Sequence, residues 1–264
     1  MLTSRQADIL LCDEPRPTPS NESPGMATLD STPLLPARMT ADTPTQVSRR
    51  RELTELFVGY GLILVVVWTP RPAQSVLYWI TVAWIVVTSI LSRNRTRPLG
   101  LGLKGLAPSL WIIPAAMALF FLGMWIAAWA GTLHRLYGPL PLLLHVGEYG
   151  IWALIQQFIL QVYVLLRLLR LGLTKRRAIG VAALMFAVAH IPNPVLTPAV
   201  IVWGAVACWL YLRYRNLYCI ALAHGMLGMC LAITVPNGIN HHMRVGLGYL
   251  LYPTHRAGLE LTSR

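Results

Sequence analysis

Few side chains in this sequence could move or steer a proton inside an apolar environment, and three of them coincide. Gln157, His190 and His224 each lie within a long apolar run. Counted from the basic ends of those runs at 1.5 Å per residue, they lie about 15, 18 and 12 Å deep. Three polar groups from three helices would then share one layer of a membrane. Ionisable and amide side chains at such depth are costly, so the default reading is functional. Gln156, Gln161, Asn193 and Glu148 complete the set of candidates. Any one of them alone is adequately explained by hydrogen bonding between helices, which Gln, His and Asn do routinely in bilayers. Three at one depth are harder to explain that way. Gln157 and Gln161 are four residues apart, as are Phe186 and His190, so each pair shares a helix face. Glu148 is the one carboxylate between Glu55 and Glu260. It precedes Gln157 by more than two turns, about 13 Å along the same helix.

The elements that must position these groups follow from composition. Of 264 residues, 55% are apolar and 12% are charged, against about 25% charged in a soluble domain. Apolar runs occupy roughly 53–69, 75–92, 108–130, 141–166, 178–194, 198–213 and 216–235. About 20 apolar residues in a helix span the hydrocarbon, so the expected fold is all-α: a polytopic membrane bundle of about seven helices. The 178–194 run is short and stops at Ile191-Pro192-Asn193-Pro194, where proline re-aims the chain. The apolar stretch 245–252 is too short to cross and is expected at the interface or re-entering. Glu55 falls at the edge of the first run, where hydration is expected.

Residues 1–48 are rich in Pro, Ser, Thr and acidic residues without apolar periodicity, as expected of a disordered cytoplasmic tail. Met26 and Met39 offer alternative starts within it, and no signal peptide is expected. The transmembrane domain is expected over 49–252, followed by a short polar tail at 253–264.

The formal net charge of +12 raises nucleic acid as a partner, but the positions of the charges exclude it. Basic residues sit at the ends of apolar runs, at Arg49–Arg51, Arg93, Arg95, Arg97, Arg167 to Arg177, Arg213 and Arg215. This is a pattern of anchoring and orientation, and the expected partner is the lipid bilayer. With the N-terminus in the cytoplasm, the outside loops carry only Arg71 and Arg135, and the tail after the last run adds Arg244, Arg256 and Arg264. His134 and His145 fall near the outer interface, and His241 and His242 just beyond the last run. Cys208, Cys219 and Cys230 lie inside apolar runs and read as buried thiols. Trp79, Trp125 and Trp129 suit an aromatic belt, whereas Trp84 is expected to pack between helices.

Three segments, Gln156-Gln-Phe-Ile-Leu-Gln161, Phe186-Ala-Val-Ala-His190 and His224 within Ala-His-Gly-Met-Leu-Gly, resemble the CAAX-protease and bacteriocin-processing (CPBP, Abi-like) family of intramembrane proteases. That family's pattern is EExxxR, FxxxH and HxxxN on three successive core helices, and the resemblance covers 141–235. It implies a CPBP-like core and a location in the cytoplasmic membrane of a bacterium. It also implies a mechanism in which glutamate activates water while the histidines bind a metal or stabilise an oxyanion. Here Gln156 and Gln157 replace the glutamate pair, Gln161 the arginine and Gly228 the asparagine. A neutral amide can position water but cannot act as its base. A glutamine in place of arginine is consistent with this, since a buried guanidinium would lack its counter-charge.

The implied catalytic set is His190, His224, Gln156, Gln157 and Glu148. The implied metal ligands are His190 and His224, with zinc as the expected ion. Catalytic zinc usually takes three protein ligands, and the third would have to be Glu148, a glutamine oxygen or Asn193. Two functions follow. One is an endopeptidase acting on a membrane-associated, prenylated or lipidated peptide. The other is an inactive pseudoprotease that serves as a membrane binding or scaffold protein. A transporter is disfavoured, because no internal repeat accompanies the runs.

Overall fold

The computed structural model describes residues 46–92, 99–133 and 139–252, with the side chains of 49–92, 99–133 and 147–252. The parts of the expected tails at 1–45 and 253–264 lie outside these, as do Arg93, Arg95, Arg97, His134, Arg135 and the His145 side chain. All regular structure among the described residues is helical. Each of the seven apolar runs forms a helix. These are α1 (Gln46–Trp68), α2 (Ala73–Leu91), α4 (Ile112–Ala130), α5 (Pro139–Gln157), α7 (Lys175–Val188), α8 (Leu196–Tyr214) and α9 (Tyr218–Thr234). Short helices α3 (Leu106–Ser109), α6 (Leu166–Arg170), α10 (Asn237–Asn240) and α11 (Gly246–Leu250) complete the order. A π-helical segment, Phe158–Leu165, joins α5 to α6, so one continuous rod runs from 139 to 170.

Four of these elements are long and apolar enough to cross a bilayer: 73–91, 106–130, 147–170 and 196–214. A fifth is added if α9 and the bent segment after it count as one span. The expected seven is therefore not reached by length and composition. Helix α1 carries Arg49–Arg51, Glu52 and Glu55 in its first half. Helix α7 has only 14 residues, about 21 Å of rise. These spans imply a lipid environment, and the chain is an integral membrane protein.

Small residues line the contact between α7 and α8. Helix α7 buries Ala178, Ala182, Ala183 and Ala187, and α8 buries Val200, Gly204, Ala207 and Cys208. Spacings of four put these residues on one stripe of each helix, and small side chains let backbones approach where lipid gives no hydrophobic drive. Helix α9 packs between α4 and α5, and α1 lies along α2. The three buried cysteines are free thiols, as expected. Trp84 donates to Tyr163 Oη at 3.2 Å between helices, while Trp79, Trp125 and Trp129 are exposed.

Two asparagines organise the chain reversals. Asn216 Oδ1 accepts the backbone N–H of Tyr218 at 3.1 Å, opening α9. Asn193 Oδ1 accepts those of Val195 and Leu196 at 3.1 and 2.9 Å, opening α8. The Asn193 amide nitrogen donates in turn to Asn240 O, Asn240 Oδ1 and Arg244 O, each at 3.0 Å. This clasp ties the segment after α9 to the end of α7. His241 stacks between Tyr249 and Tyr252, at 4.1 and 4.9 Å between ring centres. Gly246, at φ +55°, then seats α11 on the end of α1. A Cβ there would strike the Val67 carbonyl and side chain. Gly246→Ala is expected to cost at least about 1–2 kcal/mol from backbone conformation alone. Thermal unfolding in detergent checks this, and an unchanged midpoint contradicts it.

Candidate functional site

Helices α5, α7 and α9 bring the expected polar layer together. Gln157 and Gln161 are fully buried, and His224 and His190 retain only 8% and 9% exposure. Gln161 Nε2 donates to Gln157 Oε1 at 3.0 Å, and Gln157 Nε2 donates to His224 Nδ1 at 2.9 Å. The helix between the glutamines is the π segment, a form found mostly as short bulges at functional sites. The Phe186 ring lies edge-on to both imidazoles, 4.7 Å from His190 and 5.9 Å from His224. The three coincident depths thus correspond to one amide–imidazole–aromatic cluster.

For uncharged imidazoles, the hydrogen bonds decide which ring nitrogen carries the proton. His190 Nδ1 lies 2.6 Å from the Phe186 carbonyl oxygen. A carbonyl only accepts, so Nδ1 carries the proton and Nε2 is left as a lone pair. His224 Nδ1 instead accepts from an amide N–H, which puts its proton on Nε2. The two histidines therefore stand in opposite tautomers.

Gln156 does not join this chain of bonds. It lines an apolar cleft of about 150 Å³ together with His190. The walls include Tyr60, Ile63 and Val67 of α1, Tyr78 and Ile85 of α2, Trp152 of α5, Met185 and Phe186 of α7, and Val245. Tyr60 Oη donates to the Met185 carbonyl at 2.9 Å, fastening α1 to α7 beside the cleft. Tyr60 had no place among the expected site residues. A tyrosine inside an apolar run needs a partner for its hydroxyl, and that was the available signal. Trp203, 5.9 Å from His224 and with its Nε1 buried and unpaired, was likewise not anticipated.

Glu148 stands apart. It is exposed, on the same helix as Gln157 and about 13 Å from it by rise. Among the described residues, no hydrogen bond or ion pair joins it to either histidine. Asn193, the other candidate third ligand, is consumed by its bonds to Asn240 and Arg244. No group of three or more His, Cys, Asp or Glu side chains among the described residues could hold a metal ion. As placed, this donor set falls short of a zinc centre, which takes three deprotonated protein ligands.

The carboxylates that do enter the bundle are elsewhere. Glu55, expected to be hydrated, is buried at 8% exposure, and Arg167, expected as an anchoring cation, is fully buried. Arg167 Nη2 donates to Glu55 Oε2 at 3.0 Å, and the guanidinium lies 4.0 Å from the Tyr163 ring centre. Glu55 also accepts from Arg51 at 2.7 Å, while Arg170 pairs with Glu52 at 2.8 Å. Each buried charge finds an opposite partner across α1 and α6, which is the condition for burying either.

Residues 139–230 match the family model described as type II CAAX prenyl endopeptidase Rce1-like. The matched segment runs from α5 into α9 and contains Gln156, Gln157, Gln161, His190, His224 and Gly228. It is consistent with the CPBP resemblance and supports a CAAX-protease-like fold. No curated protein and no solved structure matches the chain.

Proposed function

We propose that this chain is a membrane-embedded binding protein built on a CAAX-protease-like core. It seats the apolar tail of a prenylated or lipidated peptide in the cleft and holds the peptide beside His190 and Gln156 without cutting it. One observation carries this reading. The polar cluster beside the cleft consists of neutral amides and imidazoles, and the one carboxylate on the same rod, Glu148, is exposed about 13 Å away. A base that activates water must accept its proton directly or through one water. In this reading α1 and α7 are membrane-embedded as well, which gives seven spans with a cytoplasmic N-terminus.

A second reading is a slow endopeptidase, and the His190 tautomer favours it. Its Nε2 lone pair could take a proton from water while the His224 N–H steadies the carbonyl oxygen. A farnesylated peptide carrying a photoreactive group, added to the chain in nanodiscs, separates the two. The expected result is crosslinking to residues of the cleft with no cleavage product. Ile159 also lines the cleft, and filling it with Ile159→Trp should weaken capture about tenfold, a loss of about 1.4 kcal/mol. Crosslinking that Ile159→Trp leaves unchanged refutes the cleft as the binding place. A product that disappears in both His190→Ala and His224→Ala establishes the endopeptidase instead.

A further inference from the structure

The two histidines of the site differ in how their tautomers are held. His190 is fixed by a backbone carbonyl on its own helix, which can only accept. His224 is fixed by the Gln157 amide, whose oxygen and nitrogen ends have nearly the same shape and are told apart only by their partners. Turning that amide over would present Oε1 to His224, draw its proton to Nδ1 and leave Nε2 bare. What holds the nitrogen end toward His224 is one bond at the other end, from Gln161 Nε2 to Gln157 Oε1. Gln161 is fully buried, and its own Oε1 has no hydrogen-bond partner. Its amide otherwise meets only the Cys208 thiol, a weak hydrogen-bonding group, so the bond to Gln157 is its strong one. We propose that Gln161 is a positioning residue that selects the tautomer of His224 through Gln157.

The consequence reaches the ligand. With the relay in place, His190, which lines the cleft, keeps a lone pair, and His224, behind the Phe186 ring that both imidazoles touch, keeps an N–H. A neutral amide group, with one carbonyl and one N–H, suits such a pair. A carboxylate or a metal ion does not, because each needs two groups of the same kind. The inference deepens the binding reading above and rests on the same cluster. It is read on the imidazole itself, so it can stand or fall separately from peptide capture.

The test is ¹⁵N NMR of histidine-labelled full-length chain in nanodiscs, above neutral pH so that the rings are uncharged. Loss of one signal set in His224→Ala and another in His190→Ala assigns the two rings. In the native chain His224 is expected as the Nε2–H form and His190 as the Nδ1–H form. In Gln161→Met the minor His224 tautomer should grow about fivefold, the loss of one hydrogen bond of about 1 kcal/mol. In Gln157→Glu, whose carboxylate only accepts, His224 should convert to the Nδ1–H form. His190 should keep its form throughout, because its bond lies within its own helix, and a native unfolding midpoint in detergent reports that the variant is folded. Native His224 in the Nδ1–H form overturns the proposal. So does an unchanged His224 pattern in folded Gln161→Met. Should Gln161→Met lose the His190 pattern as well, Gln157→Glu decides alone, and an unconverted His224 there overturns the proposal.

Discussion

Glu55→Met is expected to destabilise the protein by about 3–5 kcal/mol, because it leaves the Arg167 guanidinium buried without its close counter-ion. The remaining carboxylate, Glu52, lies 3.7 Å from Arg167 Nε, which places the effect toward the lower end. Arg167 cannot escape to water: it is fully buried, with Tyr163 against its face and Ser92 Oγ at 3.3 Å. Replacing both partners, Glu55→Met with Arg167→Met, should recover most of the loss, since an apolar pair of similar volume carries no desolvation cost. Thermal or denaturant unfolding in detergent gives both numbers. A single variant within about 0.5 kcal/mol of native would show that the pair is hydrated rather than buried. The same substitution should weaken peptide capture, because α1 carries one wall of the cleft, starting at Tyr60, between about one and three turns beyond Glu55.

Gly228→Asn restores the residue that the CPBP pattern has at this position, and it is expected to destabilise rather than repair. A Cβ at 228 would stand 2.5 Å from Tyr149 Oη and 2.7 Å from its Cε1. Real carbon contacts do not come that close, and overpacking of this kind costs about 1–3 kcal/mol. Gly228→Asn combined with Tyr149→Ala should regain stability, because the ring that occupies the space is removed. If Gly228→Asn alone unfolds at the native temperature, Tyr149 gives way and the two positions are independent. The coupling matters for function. Tyr149 on α5 fills the place on α9 from which an asparagine would reach the site.

The helices were legible because apolar runs of membrane length have few other solutions: every backbone polar group must be satisfied within the segment. The shared depth of Gln157, His190 and His224 was legible for a similar reason. Rise per residue is nearly constant, so distance from a basic end converts into depth. Counting could not reach azimuth. Gln156 and Gln157 are neighbours in sequence, yet one lines the cleft and the other bonds to His224. The π segment after them shifts the faces away from a 3.6-residue repeat. Pairing across the bundle was equally out of reach. Glu55 and Arg167 are separated by 112 residues, and each read alone as a charge at a hydrated edge.

The site is thus divided between the two levels. Residue types and spacing by themselves determined that a layer of amides and imidazoles lies inside an apolar bundle, and left Glu148 as the one carboxylate that could join it. These follow from composition and helical rise, which are local properties. Only the tertiary structure decided that Gln161, Gln157 and His224 form one directed chain of hydrogen bonds, and that His190 faces an apolar cleft with Gln156. Hydrogen-bond direction depends on which donor meets which acceptor, and that is settled where helices pack.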